Sequence, residues 1–167
     1  MNDGAGGQTT RHFTCVSHSV EETRHWGEEI GRQLCPGDLV ALYGPLGAGK
    51  TTLVQGIARG MRARGPVRSP SFTLVNEYET EAGMLYHLDL FRLASEEEVE
   101  EAGLGERLPG DGVAVVEWAE RAASLLPPDR LDLTLEMAEG ENERRLVFSP
   151  QGSRFVTLLA DLGVVGC

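Results

Sequence analysis

The stretch Gly44-Pro45-Leu46-Gly47-Ala48-Gly49-Lys50-Thr51 constrains this chain more tightly than any other feature. It fits the Walker A pattern G-x-x-x-x-G-K-S/T at every fixed position. A continuous apolar run, Leu39-Val40-Ala41-Leu42-Tyr43, precedes it and reads as a strand buried on both faces. From Lys50 to about Met61, Leu53, Ile57 and Met61 fall on one helical face. Strand, glycine-rich turn and helix in that order make a phosphate-binding loop. Its glycines let successive N–H groups curl inward at phosphate oxygens, and the following helix adds its positive end. The pattern assigns phosphate contacts to the backbone of Gly47, Ala48 and Gly49 and to the Lys50 ammonium. Thr51 offers a magnesium ligand, and Thr52 an N–H or hydroxyl to the α phosphate.

Lys50 is the only lysine among 15 basic residues. A chain that otherwise uses arginine keeps a flexible point donor where the phosphates need one. With no second lysine, an Asn-Lys-x-Asp element for guanine cannot exist, so the predicted cofactors are ATP and Mg2+. No LSGGQ-like stretch is present, which excludes an ABC-transporter ATPase. Hydrolysis on such a loop needs a carboxylate at the end of a neighbouring strand. Glu117, after the apolar run Val113-Ala114-Val115-Val116, has the Walker B signature, and Asp89 ends the run Tyr86-His87-Leu88. Both are candidate metal ligands and, with Lys50, candidate catalytic residues. The other acids, Glu96 to Glu98 with Glu100 and Glu101, read as a solvated helix face.

The rest of the chain sets limits around this motif. Its 167 residues suit one domain, predicted over residues 13–167 behind a flexible polar segment at 1–12. A net charge of −11 excludes stand-alone binding to nucleic acid by phosphate neutralisation, and binding to anionic membranes. No stretch approaches ~18 consecutive apolar residues, and no hydrophobic signal core stands at the amino terminus. The expectation is a cytoplasmic protein with no membrane contact. Cys15, Cys35 and Cys167 form no metal-binding or redox spacing with one another or with the histidines, and Cys167 is no prenylation signal.

Ser19 with Glu22, and Ser95 with Glu98, have capping-box spacing, predicting helices to Leu34 and to about Leu108. Strands are predicted at Phe72–Glu79, Met84–Leu90 and Val113–Val116. A short helix to Leu126 should follow, then a hairpin from Leu131–Met137 to Arg145–Phe148, and a closing helix at Phe155–Leu162. The interleaving predicts an α/β fold: a P-loop NTPase-like three-layer sandwich with a mainly parallel central sheet and antiparallel additions.

Four segments, GPLGAGKTT (44–52), SPSFTLVNEY (69–78), HLDLFRL (87–93) and VEWAE (116–120), together resemble TsaE, the small bacterial P-loop ATPase family required for threonylcarbamoyladenosine in tRNA. Their order and spacing match from roughly Ser19 to Phe148. This chain has Pro45 where the family usually has Asp, Ser71 for Thr, and Phe72 and Phe91 for Tyr. None of these departures removes a phosphate or metal ligand, although Pro45 lacks an N–H.

The resemblance implies that Glu117 is the magnesium-ligating acid and Asp89 a second essential carboxylate near metal and water. It makes Ser69–Tyr78 a mobile switch sensing the γ phosphate, with Ser71 and Thr73 offering hydroxyls. Trp118 flanks the site or fills core. An arginine of the late hairpin should lie near the nucleotide; Arg144 and Arg145 compete, with Arg144 preferred. The implied partners are TsaB and the transferase TsaD, with tRNA reached only through the complex and ATP hydrolysis resetting it. Arg59, Arg62, Arg64 and Arg68 form a local basic run, read as a solvated helix end with tRNA or an acidic partner surface as the alternative. Two other readings of the P-loop stay open: a small-molecule kinase, for which no lid segment is visible, and a non-catalytic nucleotide sensor.

Overall fold

The computed structural model describes residues 11–108 and 110–164. Apart from Arg11 and His12, the amino-terminal segment expected to be flexible lies outside the described residues, as does Cys167. The elements run β1 (Phe13–Ser17), α1 (Val20–Gln33), β2 (Leu39–Tyr43), α2 (Lys50–Gly60), β3 (Val75–Thr80), β4 (Gly83–Asp89) and α3 (Glu96–Glu101). A 3-10 turn at Gly105–Arg107 leads to β5 (Val113–Glu117), and a 3-10 segment at Ala119–Leu125 to β6 (Arg130–Met137), β7 (Arg144–Gln151) and α4 (Ser153–Asp161).

Seven strands form one sheet in the order β1-β7-β6-β2-β5-β4-β3. The four inner strands, β6, β2, β5 and β4, run parallel to one another. On one side β7 joins antiparallel to β6 and carries β1, and on the other β3 joins antiparallel to β4. Alternation along β2 and β5 builds two cores. Val40, Leu42, Val113 and Val115 pack with side chains of α1, α2 and α4. Leu39, Ala41, Ala114 and Val116 pack with Val99 of α3 and with Ala119 and Ala122. Helices on both faces of a sheet whose inner strands are parallel make the expected three-layer sandwich.

Both serine caps form, but neither closes the predicted box. Ser19 accepts the Glu22 N–H, while the Glu22 carboxylate takes the N–H of His18 rather than that of Ser19. Ser95 and Glu98 repeat the pattern, with Glu98 reaching the Ala94 N–H. Four elements depart from expectation, the first being the short helix expected to Leu126, which is a 3-10 segment broken by non-helical backbone at Ala122. The acidic helix stops at Glu101 because Gly103 takes a left-handed conformation, a helix-ending turn, before the 3-10 turn begins. The strand expected from Phe72 starts only at Val75, because Pro70–Leu74 is closed as a turn by the Leu74 N–H on the Pro70 carbonyl. Strand β1 was not anticipated: five residues with one exposed face give too short a signal, and pairing with β7 orders them.

Helices α1 and α2 approach more closely than ordinary side chains allow. A Cβ on Gly27 or Gly31 would lie 2.2 Å from the carbonyl oxygen of Leu53 or Ile57, and one on Gly56 or Gly60 would lie 2.0 or 2.1 Å from that of Arg24 or Glu28. Two Gly-x-x-x-Gly pairs therefore interlock backbone on backbone. This contact fixes the axis, and hence the amino-terminal end, of α2.

Candidate functional site

Strand β2 ends at Tyr43 and the chain turns at once into the glycine-rich loop. Gly44, Gly47 and Gly49 all have positive φ, and at Gly44 a Cβ would meet the Leu135 carbonyl oxygen at 2.2 Å. Only glycine fits there. The loop ends on Gly49, which caps α2 without any side-chain hydrogen bond, so the first N–H groups of α2 have no side-chain acceptor. A glycine-flanked helix end of this kind is a ready anion site.

The Lys50 side chain folds back into the loop. Its Nζ donates to the carbonyls of Gly44 (2.6 Å) and Pro45 (2.9 Å) and lies 4.1 Å from the centre of the Trp118 ring. Burial pushes its pKa below the usual lysine value, opposed by the nearby carboxylates of Glu117, Glu120 and Asp89. Two of three N–H donors are used, which leaves one for an incoming oxygen. Trp118 has left-handed φ/ψ directly after β5, a costly conformation for a bulky residue. That turn brings its ring over Lys50 and within 5.1 Å of the Phe91 ring. Trp118 is half-buried and lines the cleft, so it borders the site rather than lying deep in the core.

Parallel pairing aligns the two expected acids. Asp89 stands opposite Glu117 in the β4–β5 register, and Leu42 of β2 stands opposite Glu117 on its other side. Both carboxylates are buried, at 4% and 3% exposure. The Thr51 hydroxyl lies 2.9 and 3.2 Å from the two oxygens of Glu117. Asp89 accepts the hydroxyls of Ser69 (2.9 Å) and Ser71 (3.1 Å) on Oδ2, and the Phe91 N–H (3.0 Å) on Oδ1. The cleft over these strand ends has a volume of about 450 Å³ and is lined by Leu46, Gly47, Gly49, Lys50, Thr51, Thr52, Asp89 and Glu117 with Ser69, Ser71, Phe72, Phe91, Arg92 and Trp118. A crevice beyond the carboxyl ends of parallel strands is where open α/β sheets take their ligands.

Of the two arginines, Arg144 lies against the loop, donating from Nε to the Ala48 carbonyl (3.0 Å) and from a terminal nitrogen to that of Gly47 (3.3 Å). Strand alternation turns Arg145 to the other face, where it pairs with Glu136 at 3.4 Å. Thr73 does not face the cleft acids: its hydroxyl donates to Asn76. Ser69, expected only as the start of the switch segment and not for its hydroxyl, takes that part beside Ser71. His87 was missed too. It is fully buried on β4, with Nε2 2.8 Å from Glu117 Oε1, and a polar residue inside an otherwise apolar strand was the available signal. The basic run is largely neutralised. Arg59 meets Glu21 (3.1 Å) and Glu28, Arg62 meets Glu81 (2.9 Å), and Arg64 meets Glu79 (3.2 Å).

Comparisons with known proteins agree with this geometry. A family model described as threonylcarbamoyl adenosine biosynthesis protein TsaE matches residues 17–146. The tRNA threonylcarbamoyladenosine biosynthesis protein TsaE of Treponema pallidum is 43% identical over 130 residues, 77% of this chain and 96% of that protein. Its counterpart in Bacillus subtilis is 39% identical over 142 residues, 85% of this chain and 88% of its own. Among solved structures, the crystal structure of Bacillus subtilis YdiB superposes with a TM-score of 0.77 at 33% identity, covering 92% of this chain and 95% of that one.

Proposed function

Because the chain belongs to the TsaE family of threonylcarbamoyl adenosine biosynthesis proteins, we propose that it is a magnesium-dependent ATPase of the tRNA threonylcarbamoyladenosine machinery, supporting turnover of a TsaB–TsaD transferase complex. The observation that carries the ATPase reading is the meeting of an uncapped P-loop helix end with two buried carboxylates on adjacent strand ends. The first N–H groups of α2 and those of Gly47 and Gly49 cradle phosphate oxygens, whereas the Ala48 N–H, expected among them, is held by the Pro45 carbonyl at 3.1 Å and closes the loop's turn. Lys50 neutralises the β and γ phosphates, and Arg144 braces the loop through its carbonyls.

The donor set suits magnesium. Among the described residues no group of three or more His, Cys, Asp or Glu could hold a metal by itself. Magnesium needs no such cage, since it keeps several waters and takes one or two carboxylates plus substrate phosphates. Thr51 and Glu117 would hold it, with Asp89 in or beside its shell. When bound, it would neutralise charge on the leaving phosphates. Asp89, held by Ser69 and Ser71, then ties the Ser69–Tyr78 segment to the nucleotide state, as a γ-phosphate switch requires.

Residues 13–167 act in this reading as one ATPase domain, and the cytoplasm is its compartment. No helix among the described residues is long and apolar enough to cross a membrane. A small-molecule kinase remains the alternative for a P-loop chain of this size. Two measurements separate them: phosphate release from MgATP without an acceptor, and co-elution with TsaB and TsaD in the presence and absence of ATP. The proposal expects acceptor-independent release in the mixture and an ATP-sensitive complex. Transfer to a small alcohol or nucleotide with negligible release, and no complex, would overturn it.

A further inference from the structure

His87 is the most buried polar side chain near the cleft that the P-loop chemistry leaves unused. Its exposure is 0%, and it stands two residues before Asp89, on the same face of β4. Its two ring nitrogens differ sharply. Nε2 lies 2.8 Å from Glu117 Oε1, whereas Nδ1 is buried with no hydrogen-bond partner. A carboxylate only accepts, so the geometry puts the proton that joins them on Nε2. A strand position facing packed aliphatics would ordinarily hold Val or Leu, because a buried nitrogen without a partner costs free energy. Here that cost is borne for one contact, and the contact is with an acid at the end of the neighbouring strand.

We propose that His87 is the positioning residue of Glu117. Its Nε2–H pins Oε1 from the core side while the Thr51 hydroxyl approaches from α2. The carboxylate is thereby fixed in one rotation before a cation arrives, as metal-ligating carboxylates are held by hydrogen bonds from behind elsewhere. His87 itself touches neither nucleotide nor metal. The inference rests on reading Glu117 as a magnesium ligand and deepens it.

The test uses the full chain and titrates magnesium against ADP binding by calorimetry, beside ADP binding in EDTA and melting of the nucleotide-free protein. His87→Leu keeps the apolar volume and removes the donor, whereas His87→Gln keeps an N–H at comparable reach. His87→Leu should need roughly ten-fold more magnesium for half-maximal effect, the lower end for loss of a metal-site supporting partner. Affinity in EDTA should be unchanged, and His87→Gln should recover most of the loss. If His87→Leu fails to fold, His87→Asn, whose amide is too short to reach Oε1, takes its place. A folded donor-free variant with the wild-type magnesium requirement would overturn the proposal, as would a glutamine variant no better than it. Absence of any magnesium effect in the wild type would instead remove the metal reading of Glu117, and the proposal with it.

Discussion

Lys50 illustrates how much of this site is prepared by single residues. Its ammonium is held in the loop by the Gly44 and Pro45 carbonyls and stacked on Trp118, so little side-chain freedom is left to lose on binding. No other lysine exists in the chain; Arg144, against the loop, is already committed to the carbonyls of Gly47, Ala48, Glu141 and Glu143, and Arg92, which lines the cleft, lies over the Phe72 ring. Lys50→Ala should therefore abolish measurable ATP binding while leaving the protein folded. Removing this buried ammonium also removes a group that burial disfavours in its charged form. Calorimetry showing unchanged affinity for MgATP would remove the P-loop from the function.

At the scale of elements, the site depends on the α1–α2 contact. Lys50, Thr51 and Thr52 begin α2, and the interlocked glycines decide where that beginning lies relative to β2 and β5. Gly56→Ala would force a Cβ to within 2.0 Å of the Arg24 carbonyl oxygen, so the helices must part. Overpacking of this kind costs about 1–3 kcal/mol, which for a chain of this size lowers the melting temperature by roughly 2–12 °C. Thermal unfolding of Gly56→Ala beside a control such as Arg62→Ala, on the exposed end past α2, measures it; equal melting temperatures would show that the contact tolerates separation.

Local chemistry made the motif-bearing elements legible in sequence. The apolar runs of β2 and β5, the P-loop turn, and the carboxylates at Asp89 and Glu117 all carry signals within a few residues. What escaped depends on distant partners. β1 is ordered by β7, more than a hundred residues away. The glycine pairs of α1 and α2 make sense only once they face each other. His87 gains meaning only because parallel pairing sets β4 beside β5. Thr73 and Ser69 exchanged expectations because the Pro70–Leu74 turn rotates the loop, and left-handed Leu74 gives no warning in sequence.

At the scale of the whole molecule, the acidic balance and the parallel sheet point the same way. A chain of net charge −11, with Arg59, Arg62 and Arg64 paired to glutamates, offers little free positive surface for tRNA phosphates. Work on tRNA would then pass through protein partners, with ATP as this chain's own ligand. The central claim is that carboxylates on two adjacent strand ends drive hydrolysis there. Steady-state phosphate release by the reconstituted complex with TsaB and TsaD tests it most directly, comparing wild type with Glu117→Gln and Asp89→Asn. Each substitution preserves volume and removes one negative charge, so turnover should fall by roughly 10²-fold or more, about 2.7 kcal/mol of barrier. Nucleotide-free melting should stay close to wild type, because Thr51, His87, Ser69 and Ser71 can bond to the amides as well. Wild-type turnover in both variants would contradict the account.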